Sequence, residues 1–164
     1  LSGEMEHVDV RGAALQADEA KITVRHVPDQ PGVAATMFSE IARAKVSVDM
    51  IVQNVSEQGR ADVSFTVPKA DLPQALAVAR SLAEQLGASS VESDENIAKV
   101  SIVGIGMRSH SGVAQKLFRA LADEKINILM ISTSEIKISC VIEDSAGEAA
   151  LRAVHRAFEL GKGP

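Results

Sequence analysis

Along this chain, short β-branched runs are followed by helical stripes, and the order occurs twice. Lys21–Val27 and Lys99–Ile105 are rich in Val, Ile and other β-branched residues and carry little helical period, which predicts strands. After the first run, apolar residues fall at Val33, Ala34, Met37, Phe38, Ile41 and Ala42. After the second they fall at Val113, Ala114, Leu117, Phe118, Leu121 and Ala122. Repeats of four predict one amphipathic helix in each place. A second strand is expected over Val46–Gln53 and again over Ile126–Thr133, and a third over Asp62–Val67 and Lys137–Ile142. A second helix is expected from Leu72 to Leu86, with its stripe at Leu72, Leu76, Ala79, Ala83 and Leu86. Its counterpart carries Leu151, Val154 and Phe158.

The two halves are one unit written twice. Gly32, Val33, Ala34, Phe38, Ala42, Lys45, Met50 and Ile51 recur as Gly112, Val113, Ala114, Phe118, Ala122, Lys125, Met130 and Ile131. Further on, DVSFTV at 62–67 matches KISCVI at 137–142. Each copy reads strand, helix, strand, strand, helix. The first has a sixth element, Ser89–Glu95, and the second has none, but a strand-like segment stands unassigned at Val8–Ala17. That segment is expected to supply the missing edge of the second sheet. The fold class follows: α+β, two ferredoxin-like βαββαβ units with the first inserted within the second. The expected boundaries are 19–97 for one unit and 6–18 plus 98–161 for the other.

Composition narrows the functions. Aromatics make up 2% of the chain and the net charge is -5, which argues against a base-stacking, phosphate-binding surface and so against nucleic acid. No apolar run approaches a membrane span. The single cysteine, Cys140, lies in an apolar strand and is expected in the core, and a reducing, cytoplasmic setting is the simplest reading. The GIG at 104–106 would need glycine at 109 for a dinucleotide fingerprint, where Ser109 stands. His7, His26, His110 and His155 have no metal spacing with one another or with Cys140. No catalytic residue, metal or cofactor is expected.

One corner carries chemistry. VPDQPGVAATMF at 27–38 joins a strand to a helix, and MRSHSGVAQKLF at 107–118 is its counterpart. Pro31 suits a first helical turn, and Gly32 allows a ligand close to the backbone. The N–H groups of Gly32, Val33 and Ala34 would then offer a carboxylate site, with Asp29 ready for an ammonium. The plainer alternative, on spacing alone, is that Asp29 caps the helix and Pro-Gly turns the chain. In the second corner Ser109 and Ser111 replace Asp29 and Pro31, so it could bind a carboxylate or nothing. Gln53, Asn54 and Ser56 after strand two, and Ser132, Thr133, Ser134 and Glu135 in the matching place, are pocket-lining candidates or loop residues.

Two such units with Asp-x-Pro-Gly at the first corner resemble ACT domains, which sense small molecules. VDMIVQNVS at 48–56, KVSIVGIGMRSHSGV at 99–113 and ISTSEIKIS at 131–139 resemble the regulatory region of aspartokinases over nearly the whole chain, from Val8 to Gly161. The resemblance implies a non-catalytic regulatory part of aspartate kinase, either a separate β subunit or an excised fragment. It would partner the catalytic α subunit, form a homodimer through its ACT units, and bind threonine or lysine between units. The implied effector site takes Asp29, Pro31, Gly32, Val33, Ala34 and Gln53 from one chain, with Asn127 and Ile128 from its partner. A second site would take Ser109, His110, Gly112, Val113, Thr133 and Ser134, with Ser47, Val48 and Asp49 from the partner. Asp49 or Glu135 would meet a lysine ammonium. Ser56 and Ser64 are implied to affect feedback inhibition; the family often has Thr at the latter. Two alternatives remain: a purely structural dimerisation subunit, or an ACT subunit of another pathway enzyme such as acetolactate synthase.

Overall fold

The structure, a computed structural model, describes residues 9–55, 57–105 and 110–160. The chain divides into two units, residues 18–95 and the described parts of 1–17 with 96–164. The strands are β1 (Asp9–Gln16), β2 (Glu19–Pro28), β3 (Ile51–Val55), β4 (Arg60–Pro68), β5 (Ser90–Asp94), β6 (Ile97–Ile105), β7 (Met130–Thr133) and β8 (Lys137–Glu143). The helices are α1 (Val33–Arg43), α2 (Leu72–Leu86), α3 (His110–Asp123) and α4 (Gly147–Ala157).

In the unit of 18–95 the sheet order is β3-β4-β2-β5, every pair antiparallel. Strand alternation sends Ala20, Ile22 and Val24 of β2, and Val63, Phe65 and Val67 of β4, to one face. Met37 and Ile41 of α1 and Ala75, Ala79, Leu82 and Ala83 of α2 pack onto that face. Phe38 meets Phe65 edge-on at 5.6 Å between ring centres. The α2 stripe therefore runs through Ala75 and Leu82, while Leu76 and Leu86 are only half-buried. On the opposite face Thr23 Oγ1 and Ser64 Oγ are 2.9 Å apart.

The second sheet has the order β1-β6-β8-β7. The N-terminal strand β1 runs antiparallel beside β6, from Gly12 opposite Val103 to Gln16 opposite Lys99, and so fills the edge that the second copy lacks. Its core gathers Ala98, Val100 and Ile102 of β6, Ile138, Cys140 and Ile142 of β8, Leu117 and Leu121 of α3, and Ala150 and Val154 of α4. A hydroxyl pair recurs here: Ser101 Oγ and Ser139 Oγ lie 2.7 Å apart, at the repeat positions of Thr23 and Ser64.

Two expected elements start elsewhere. Strand two begins at Ile51 rather than Val46, and its counterpart at Met130 rather than Ile126. In the first copy Thr66 Oγ1 takes the Met50 N–H (3.0 Å), so the approach to β3 bonds partly to a side chain. Phe158 falls just past the end of α4, as its C-cap.

Candidate functional site

The corner at 27–34 forms from three local devices. Gly32 caps α1 at φ 90, a conformation that favours glycine. A Cβ built on Gly32 would have nothing within 4 Å, so it is backbone shape rather than space that glycine supplies. Before the cap, Asp29 N–H donates to the Gly59 carbonyl (2.8 Å), which fixes the strand end against the loop ahead of β4. Val33 N–H is taken by the Gln30 carbonyl (3.3 Å), so it is not one of the free donors expected there. Among the described residues, no backbone acceptor takes the N–H groups of Gly32 or Ala34.

A small pocket, partly open to solvent, lies at this corner. Val27, Met37, Ala61 and Val63, all buried, form its apolar inner wall. Asp29, Gln30 and Gln53 stand exposed among its lining residues, with Val33 and Ala34 of α1 beside them. Gln53 belongs here because it pairs with Val63 across β3 and β4 and shares its face. The arrangement gives one carboxylate for an amine, a helix start for a carboxylate, and an apolar wall for a side chain.

Asp29, Val33, Ala34 and Gln53 are thus brought together, and Pro31 and Gly32 shape the turn between them. Sequence reasoning missed Gln30 and the wall of Val27, Ala61 and Val63. The alternation of Ala61 and Val63 along β4 was the available signal. Ser64 lies on the other face, at its bond with Thr23.

Asn127 and Ile128 lie in the other unit, between α3 and β7; Asn127 is exposed and Ile128 packs on that unit's core. Ser47, Val48 and Asp49 occupy the segment between α1 and β3, where Asp49 N–H donates to the Thr66 carbonyl (3.0 Å). Thr133 ends β7, and Ser134 opens the turn to β8, its N–H on the Lys137 carbonyl at 2.7 Å. His110 is the first residue of α3. Ser56 and Ser109 lie outside the described residues.

The second corner is built differently. Gly112 stands inside α3, whereas Gly32 stands before α1, and Val113 is buried. The helix start that was expected to repeat is therefore displaced, beginning at His110 where the first copy has Gln30. Cys140 is fully buried, and burial pushes its thiol up to about 12. No described helix is long and apolar enough to cross a membrane.

The paired units and the corner pocket define a tandem regulatory module of the ACT type. The ACT domain family matches residues 22–81 and 100–158. An aspartate kinase of Stutzerimonas stutzeri is 55% identical over 156 residues, 95% of this chain and 38% of that protein. An aspartokinase of Pseudomonas aeruginosa is 54% identical over the same shares. The chain therefore spans about 38% of the length of these relatives. Among solved structures, one of aspartokinase alpha and beta subunits aligns with a TM-score of 0.85 at 50% identity, covering 92% of this chain and 99% of that one. The ligand-free regulatory subunit of aspartate kinase from Thermus thermophilus aligns with a TM-score of 0.86 at 43% identity, over the same shares. The chain belongs to the ACT domain family, in its aspartokinase regulatory form.

Proposed function

We propose that this chain senses an amino acid for an aspartate kinase and transmits feedback inhibition, with no phosphotransfer chemistry of its own. One observation carries the reading: Asp29, Gln30 and Gln53 stand over an apolar wall at the start of α1, around one small pocket partly open to solvent. Threonine is the first effector, its carboxylate on the N–H groups at the start of α1 and its amine on Asp29; lysine is the second. Asn127 and Ile128 of a partner copy would close the site, so ligand and dimer are linked. Ligand then favours the arrangement of units that inhibits the kinase, a population shift. The likeness to a solved structure of aspartokinase alpha and beta subunits supports a catalytic α subunit as the partner.

Any native-state ligand raises the melting temperature. Threonine at millimolar concentration is expected to do so here, followed by circular dichroism. Absence of a shift with threonine, lysine or methionine would sink the reading. Asp29→Ala should abolish the threonine shift and leave the ligand-free transition in place.

A further inference from the structure

Strand β2 changes faces partway along. Ala20, Ile22 and Val24 enter the core at alternate positions, but the next buried residue is Val27. The register with β4 shifts between Val24 and Val27, so β2 spends three residues where β4 spends two, from Val63 to Ala61. This is a β-bulge, with His26 at φ 60, a conformation that costs a non-glycine residue. Its effect is parity. Past it, Val27 and Asp29 line the pocket; without it both would lie on the face of Lys21 and Thr23, and Asp29 would turn away.

The bulge is held by side chains from β4. Asp62 Oδ1 accepts the His26 N–H at 2.9 Å, and Asp62 Oδ2 pairs with Arg25 Nη1 at 3.2 Å. Arg60 Nη1 donates to the His26 carbonyl at 3.2 Å. The second unit differs at this place in both structure and sequence. There β6 pairs with β8 without a shift from Ile97 to Val103, and Lys137 occupies the repeat position of Asp62.

We propose that Asp62 is a positioning residue for the amino-acid site: by holding the bulge at His26, it turns the Asp29 carboxylate to the pocket side. This rests on the function proposed above. Asp62 is not among the residues that line the pocket. It acts on the strand that delivers Asp29.

The test compares Asp62→Ala with Asp62→Asn, which keeps an oxygen acceptor for the His26 N–H. Glu92→Gln is the control, since Glu92 pairs with Arg25 at 2.8 Å and leaves the His26 bond alone. Threonine and lysine are titrated by calorimetry, and backbone amide exchange is followed without ligand. In Asp62→Ala, Kd for the bound amino acid is expected to rise about tenfold, as for one lost hydrogen bond. The His26 and Asp29 amides should exchange faster, while those of Ile22 and Val24 stay protected. Asp62→Asn and Glu92→Gln should stay near wild type in both readouts. Unchanged exchange at Asp29 in Asp62→Ala, or uniform loss of protection along β2, would overturn the inference. So would wild-type binding with an unaltered Kd in that variant, which would leave the site reading intact. No binding by the wild-type chain would remove the site reading and this inference together.

Discussion

Lys45, Gly87, Lys125 and Glu159 end the four described α-helices in the left-handed region, at φ between 56 and 70. Each makes the same pair of reversed bonds. In the first helix Lys45 N–H goes to the Ala42 carbonyl and Val46 N–H to that of Ile41; in the third, Lys125 goes to Ala122 and Ile126 to Leu121. These are Schellman closures, and an apolar residue follows each lysine to pack back toward the helix. Only Gly87 has the residue type that marks such an end, so the other three are not legible as stops in the sequence. Replacing Lys45 or Lys125 by Gly removes a left-handed penalty of about 1–2 kcal/mol and adds back about 0.5–1 kcal/mol of unfolded-state entropy. A net gain of about 0.5–1 kcal/mol per site is expected from urea unfolding. Cys140, by contrast, was legible, because apolar neighbours on a strand imply burial. With its thiol pushed up to about 12, Cys140 should resist alkylation at pH 8 in the native chain and react once urea unfolds it.

At the scale of elements, the helices and central strands were readable because long periodic runs survive packing. Leu72–Leu86 is helical over its whole expected span. The entries to β3 and β7 were not readable. VSVDM looks like strand by composition, but Val46 is committed to closing α1, and Asp49 and Met50 are held by Thr66 through backbone and hydroxyl together. Thr66 is fully buried and Met50 nearly so. Thr66→Val keeps the shape but strands the Met50 N–H, at a cost of about 1–3 kcal/mol. Chemical unfolding measures it; a neutral result would mean the N–H finds another acceptor. The pocket was half legible for a similar reason. Asp-x-Pro-Gly announces a turn, but which side Asp29 faces depends on one extra residue at His26, and no local signal in β2 marks it.

For the whole molecule, the doubling was legible from a count of elements. The second copy came up one strand short, and a spare strand stood at the N-terminus. Less legible was that the two corners would differ in architecture as well as in polar groups. Gly32 outside α1 and Gly112 inside α3 place one shared residue in two different roles.

The insertion bears on the order of folding. β1 must find β6 across the intervening unit, Asp18–Glu95. Were that stretch unstructured, closing a loop of roughly 80 residues would cost about 4 kcal/mol of chain entropy. Once folded, its two ends are already together, since Lys21 of β2 lies opposite Asp94 of β5. The inserted unit then serves its host as a hairpin turn. A defect in the insert should therefore slow the host, and the reverse should not hold. Phe65→Ala, a loss of about 3–5 kcal/mol from the insert's core, should slow the return of amide protection at Val100 and Cys140. Ile138→Ala in the host should leave protection at Ile22 and Val63 arriving on time. Pulsed exchange during refolding reads both, and equal delays from the two variants would mean that neither unit waits for the other.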